Sequence, residues 1–294
     1  MLGILLIDKP QGWTSHDVVA KTRGILKTKR VGHAGTLDPL ATGLLVVAVG
    51  HATRFLPYLP LEPKEYVFTV RFGQTTNTFD ADGEVTEERP VPPDLEAQIA
   101  RHLPQFTGNI QQLPPMYSAV KKGGKPLYVY ARKGEEVERD LRPVTINVYE
   151  VTEVRANEAD FRVVCSGGTY IRTLAHDLGE AIGCGAHLTA IRRTQVGEFR
   201  VEEAANMESL GEEDLWSLDQ ALPPVPLIPI NHGQVERFQN GQPIKFRRTP
   251  EASDLGTAVG LVDSEGVVVG MGQVVGEWVE PLVVIPASAL ATDL

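Results

Sequence analysis

Apolar positions along this chain follow two periods, and the switches between them mark the elements. Residues 2–7 form an unbroken apolar run closed by the turn residues Asp8-Lys9-Pro10-Gln11-Gly12, which predicts a buried strand. Val18, Val19, Thr22, Ile25 and Leu26 then recur at helical spacing. Thr14 and Asp17 stand before them at capping-box spacing, with Asp in place of the usual Glu or Gln. A second apolar run at 44–49 predicts another buried strand, followed by a short helix through Phe55, Leu56 and Leu59. Tyr66, Phe68, Val70 and Phe72 alternate with Glu65, Val67, Thr69 and Arg71, the pattern of a strand with an inward aromatic row. Leu95, Ile99 and Leu103 predict a helix started by Pro93-Asp94. Residues 144–154 and 160–165 predict paired strands around an Ala156-Asn157-Glu158 turn. Ile171, Leu174, Ala175, Leu178 and Ile182 share one helix face, and a strand over 187–193 follows the glycines at 183 and 185.

The pattern changes near residue 223. Leu215, Leu218 and Leu222 predict a short helix, and Pro223-Pro224-Val225-Pro226-Leu227-Ile228-Pro229 reads as a semi-rigid linker. Beyond it come a short helix over 231–240 and strands at 244–246, 258–262, 267–275 and 282–285. Asp263-Ser264-Glu265-Gly266 predicts a hairpin between two of these strands. The chain therefore reads as α+β, with a small β-rich unit after the larger one. No fixed-period repeat is present.

One stretch breaks both periods: Gly32-His33-Ala34-Gly35-Thr36-Leu37-Asp38-Pro39-Leu40-Ala41-Thr42-Gly43. Its glycines permit backbone angles that other residues resist, and Pro39 pushes Asp38 toward an extended geometry. The segment predicts an ordered loop that presents one carboxylate. Two readings of Asp38 fit the residues: a catalytic group on a strand-anchored loop, or a side chain that only bonds turn amides. Tyr66 is equally open, as a core ring or as a stacking platform for a base.

Composition narrows the class. The chain has 294 residues, 42% of them hydrophobic and 22% charged, as in soluble globular proteins. No apolar run reaches a membrane span, and the start lacks a signal-peptide pattern. Two cysteines, Cys165 and Cys184, supply neither a disulfide framework nor a cysteine-rich zinc site, so a reducing cytoplasm fits. The formal charge of −10 argues superficially against nucleic acid, but its distribution is uneven. Bases gather at 21–30, at 121–125, at Arg192-Arg193 and at 245–248, and acids at 80–88 and 202–214. Such runs suit either solvated faces or a phosphate-binding groove. Asp80-Ala81-Asp82-Gly83 lacks the further ligands of a calcium loop and predicts a hairpin turn. Lysines around Gly123-Gly124 lack Walker spacing.

The Gly32–Gly43 stretch closely resembles the active-site loop of the TruB family of tRNA pseudouridine synthases. The resemblance continues in order through Leu6-Ile7-Asp8-Lys9-Pro10-Gln11-Gly12, Asp80-Ala81-Asp82-Gly83, Pro115-Met116-Tyr117-Ser118-Ala119, Gly168-Thr169-Tyr170-Ile171-Arg172-Thr173 and Gly183-Cys184-Gly185-Ala186-His187. It implies a mixed, mainly antiparallel catalytic sheet with helices packed on it, and a small PUA-like RNA-binding domain. The expected division is 1–228 and 229–294, with an RNA-binding insertion at about 120–142.

The implied reaction converts uridine 55 of the tRNA T-loop to pseudouridine, with no cofactor and no metal. Asp38 would be the essential catalyst, paired with Arg172, and Tyr66 would stack on the base. His33, Gly35, Tyr170, Ile191 and Lys9 would bind substrate. The chain is expected to be a cytoplasmic monomer acting on the T-arm, with no membrane partner and a possible second role in tRNA folding. Two departures stand out: Glu65 replaces a usual base before the tyrosine, and Gly167 replaces a usual lysine before Gly-Thr-Tyr. Three rivals compete. A non-catalytic RNA-binding protein would not need Asp38. A guide-dependent relative would act inside a ribonucleoprotein. A hydrolase using Asp38 would want a metal cluster or triad.

Overall fold

The computed structural model describes residues 1–222, 225–245 and 258–290. Its frame is a ten-stranded sheet. The strands run in the order Ala205–Asn206, Gly3–Lys9, Thr42–Val49, Ala186–Val196, Lys64–Phe72, Glu158–Cys165, Arg142–Arg155, Gly108–Gln112. Val31–Ala34 and Phe199–Arg200 attach to Thr42–Val49 and Ala186–Val196. Two pairings are parallel, Gly3–Lys9 with Ala205–Asn206 and Ala186–Val196 with Thr42–Val49. The rest are antiparallel, so the sheet is mixed and mainly antiparallel, as the pattern implied.

The two apolar runs are unbroken because both faces of their strands are buried. Successive side chains point to opposite faces. Leu5, Ile7, Leu45 and Val47 enter one core, together with Val18 and Val19 of the Ser15–Ile25 helix and Leu174 and Leu178 of the Ile171–Ile182 helix. Ile4, Leu6, Leu44 and Val46 enter another, shared with Val262, Val268, Met271 and Val283. Each such side chain contributes about 1.5–3 kcal/mol by burial. The Ser15–Ile25 helix begins on the expected capping box: the Asp17 amide donates to Thr14 Oγ1 at 3.1 Å, and the Thr14 amide donates to Asp17 Oδ2 at 2.8 Å.

A five-stranded sheet forms the second unit, in the order Leu227–Pro229, Ala258–Val262, Val268–Val275, Trp278–Val284, Ile244–Lys245. The His232–Gln239 helix packs on it through buried Phe238. This curled sheet fits a PUA-like domain. Leu227–Pro229, which straddles the expected division, pairs with Ala258–Val262 in this sheet. The final strand starts at Trp278, four positions before the apolar run that marked it. The expected helix near 215–222 is confined to Leu218–Ala221. Pro223-Pro224 of the expected linker, and residues 246–248 of the expected strand and basic run, lie outside the described residues.

Val31–Ala34 corrects the reading of the Gly32–Gly43 stretch as all loop. Its first residues form a strand against residues 46–49, because those partners offer unpaired backbone groups on a buried edge. The Lys121–Lys122 and Lys125–Pro126 strands form a tight hairpin, followed by the Leu127–Ala131 helix. Among the described residues no helix is long and apolar enough to cross a membrane.

Two packing consequences are testable. Gly43 has φ +97°, and a Cβ there would lie 2.3 Å from the Arg193 carbonyl oxygen. Gly43→Ala should lower unfolding free energy by about 2 kcal/mol, read from urea midpoints. Unchanged midpoints would contradict this packing. Asp177 is the second case. Burial and the nearby Glu180 carboxylate push its carboxyl up to about 6. The folded state therefore keeps this proton after the unfolded chain has lost its own near pH 4. Stability should fall by on the order of 2–3 kcal/mol as pH rises from 4 to 6 and then level off. Asp177→Asn should flatten that profile in denaturant titrations at pH 4.5 and 7.5; a profile the substitution leaves intact would contradict the assignment.

Candidate active site

Asp38 rides on the connection between the Val31–Ala34 and Thr42–Val49 strands. Three buried polar side chains hold that connection. Ser15 Oγ accepts from the Leu37 amide at 2.9 Å and donates to the Leu37 carbonyl at 3.2 Å. Lys9 Nζ donates to the carbonyls of Trp13 at 2.6 Å, Pro10 at 3.0 Å and Pro39 at 3.5 Å. Arg193 donates from Nε to the Leu44 carbonyl at 2.7 Å and from Nη2 to the Gly35 carbonyl at 3.0 Å. A loop this rich in turns leaves backbone carbonyls unpaired, and these cations satisfy them. The Asp38 side chain itself stays 48% exposed at the mouth of a cavity of about 300 Å³.

Arg172 enters that cavity from the first turn of the Ile171–Ile182 helix. A cation there opposes the helix dipole, and it finds two carboxylates instead. Nη2 lies 3.0 Å from Asp38 Oδ2, and Nε lies 3.4 Å from Asp80 Oδ2. The remaining donors meet the carbonyls of Thr78 at 2.8 Å and Tyr117 at 2.9 Å. The Arg172 side chain is 7% exposed and that of Asp80 6%. Burial raises the Asp80 carboxyl above its ordinary range, and the Thr78 hydroxyl and the Arg172 charge oppose that rise. One helical turn after Arg172, His176 stacks on Phe79 at 3.8 Å between centroids. The helix thus grips the 78–80 segment at two points.

Tyr66 lies on the cavity wall, buried, as the first ring of the aromatic row. Burial raises its phenol above the ordinary value, and the charge and hydrogen bond of Arg193 oppose this. Tyr170, Ile191 and Gly35 also line the cavity. Gln112 fixes the Tyr170 backbone in both directions, accepting from its amide at 2.7 Å and donating to its carbonyl at 3.0 Å.

Lys9 and His33 do not line the cavity. The Lys9 ammonium sits beneath the Asp38 connection, and burial holds it at about 8. His33 is half-buried with its ring edge against His16 at 5.6 Å. The Arg192-Arg193 run is neither a solvated pair nor a free phosphate clamp. Arg193 is 1% exposed, and Arg192 forms a bidentate pair with Asp8 at 2.9 and 2.6 Å.

Sequence reasoning missed Asp80, Arg193, Gln112 and Ser15. Asp80 was visible as a turn acid within a family-like motif, and nothing local signals that its turn folds inward onto Arg172. Glu65 accepts from Arg162 at 2.6 Å and from Thr194 at 3.0 Å, so its charge is consumed within the sheet. The Gly167 amide donates to Glu62 Oε1 at 3.0 Å, and a Cβ at 167 would lie 2.4 Å from that oxygen.

Comparison with known proteins tests the family. A family model described as TruB family pseudouridylate synthase (N terminal domain) matches residues 23–171. The chain belongs to the TruB family. A second model, tRNA pseudouridylate synthase B C-terminal domain, matches residues 172–226. A relative named tRNA pseudouridine synthase B from Thermobifida fusca is 44% identical over 97% of this chain and 99% of its own. One of the same name from Opitutus terrae is 48% identical over 76% of this chain and 92% of its own. Among solved structures, a Cbf5-Nop10-Gar1 complex contains a chain with TM-score 0.70 and 28% identity, matching 97% of this chain and 86% of that one. The archaeal box H/ACA sRNP Nop10-Cbf5 complex matches with TM-score 0.69 and 25% identity, over 97% and 86%. The fold is therefore shared with chains solved in Cbf5-Nop10 complexes.

Proposed function

We propose that this chain isomerises uridine 55 in the T-loop of tRNA to pseudouridine. The observation that carries the reading is the Asp38 carboxylate held 3.0 Å from a buried Arg172 at the mouth of a cavity walled by Tyr66. The target uridine must leave its stack to reach such a cavity. The C1′–N1 bond then breaks, the uracil turns, C5 bonds to C1′, and the C5 proton leaves. No electron or phosphoryl group is transferred.

Asp38 acts at the sugar. It either attacks C1′ to form a covalent intermediate or removes a sugar proton to give a glycal-like species. Arg172 orients the carboxylate in either route. Tyr66 stacks on the uracil and serves as the base for the C5 proton. Tyr170, Ile191 and Gly35 shape the pocket. Lys9 acts through the backbone it holds, and His33 fills space beside the flipped nucleotide. The Lys121–Lys122 hairpin and the β-rich unit beyond residue 226 extend the RNA-binding surface. The chain works as a cytoplasmic monomer on the T-arm and needs no cofactor.

The test follows tritium release from C5-labelled uridine in a T-arm stem-loop, without metal, cofactor or guide RNA. Asp38→Asn should lower release by at least about 100-fold with RNA affinity retained. Comparable loss of binding and turnover would oppose the role, and turnover that requires guide RNA would favour the guide-dependent reading. Arg172→Ala should lower release by about 100-fold and also destabilise the fold by about 3–5 kcal/mol, because Asp80 is left buried and unpaired. A near-normal rate in a folded Arg172→Ala protein would break the proposed pairing.

A further inference from the structure

The cavity separates its charges. At one end Arg172 is shared between Asp38 and Asp80, which leaves that end with a formal charge of −1. Lys64 and Arg193 line the other part of the wall, around Gly35. A Cβ built on Gly35 would lie 3.3 Å from Arg193 Nη1 and 3.4 Å from Lys64 Nζ, so the two cations converge on one spot of backbone. Arg193 bonds the Leu44 and Gly35 carbonyls and the Tyr66 phenol, and none of these partners brings a negative charge. The Lys64 ammonium has no hydrogen-bond or ion-pair partner among the described residues. It is half-buried, and burial and Arg193 both lower its proton affinity. Glu62 lies near the ammonium and opposes part of this lowering, but its carboxylate accepts from the Gly167 amide and forms no ion pair with Lys64.

Holding two cations together in a partly desolvated wall is unfavourable unless an anion joins them. A nucleotide carries its single negative charge on the phosphodiester. Tyr66 lies two residues from Lys64 on the same face of one strand and pairs in register with Arg193. Asp38, Tyr66, Lys64 and Arg193 thus line one cavity, with the ring of Tyr66 beside both cations along the sheet. Uncharged uracil carbonyls leave the double positive charge uncompensated.

We propose that Lys64, backed by Arg193, seats a phosphodiester that joins the target uridine to an adjacent nucleotide. This rests on the pseudouridine-synthase reading of the cavity. The ammonium donates to a non-bridging phosphate oxygen, and the guanidinium adds charge from behind. The contact exists before and during the reaction, so it acts on binding more than on the chemical step.

The experiment uses the full chain, T-arm stem-loops of natural backbone, and stem-loops with one methylphosphonate on the 5′ or the 3′ side of the target uridine. Lys64→Met should weaken binding on the order of ten-fold, lower the salt dependence of log Kd by about 0.7–1, and leave kcat within a few-fold. Lys64→Arg should restore both affinity and slope. One methylphosphonate should weaken wild type on the order of ten-fold and weaken Lys64→Met no further. If Lys64→Met loses as much affinity for both neutral-backbone RNAs as for the natural one, or if its salt slope matches wild type, the assignment is overturned. If wild type turns over no T-arm RNA, the reading of the cavity fails and this assignment fails with it. Turnover with no coupling at either phosphate sinks the phosphate seat alone.

Discussion

A single buried guanidinium organises the candidate site. Arg172 is almost excluded from water, and removing such a cation from solvent costs several kcal/mol unless every donor is met. Its partners come from separate parts of the chain: Asp38, Thr78, Asp80 and Tyr117. None of these segments alone can hold the charge. The cavity is therefore complete only when the connection carrying Asp38, the turn carrying Asp80, the segment before the basic hairpin and the Ile171–Ile182 helix are all in place. The same requirement aims the Asp38 carboxylate, which is itself half open to solvent.

Around this pair, other buried polar groups act on backbone and not on substrate. Ser15, Lys9 and Arg193 each satisfy carbonyls or amides that the Gly35–Gly43 turns leave without a ladder partner. A buried lysine on a motif reads as a ligand-binding group from sequence. Here its three donors are already directed at carbonyls, and its reach into the cavity is closed. Arg193 differs because its guanidinium has two faces of use. One set of nitrogens holds Gly35 and Leu44, and the remaining edge contributes charge beside Tyr66.

The two departures from the family pattern have local explanations. Glu65 pairs with Arg162 and accepts from the Thr194 hydroxyl within the sheet, so no acidic side chain faces the cavity from that position. Gly167 leaves room for Glu62 to bind its amide, and Lys64 keeps a positive charge on the same stretch of wall. The positive end of the cavity and the Asp38 end are thus built by different strands, and the ring of Tyr66 stands between the roles they serve.

Much of the fold was legible because burial leaves periodic traces. The Tyr66–Phe72 alternation, the capping box at Thr14 and the helical stripe from Ile171 to Ile182 each record a local geometry that the residue types enforce. Asp38, Tyr66 and Arg172 were legible through ordered motifs, and the first-turn position of Arg172 favours a nearby anion over a solvent-screened side chain on dipole grounds. The tertiary structure decided what has no local signature. It chose which acids share Arg172, folded the hairpin turn that carries Asp80 inward onto that arginine, and turned Lys9 away from the cavity. It also made Arg193 a buried brace, although its neighbour Arg192 is identical in type and half exposed. The physical reason is that a side chain's period tells which face it occupies, whereas the value of a charge depends on partners brought together from across the chain.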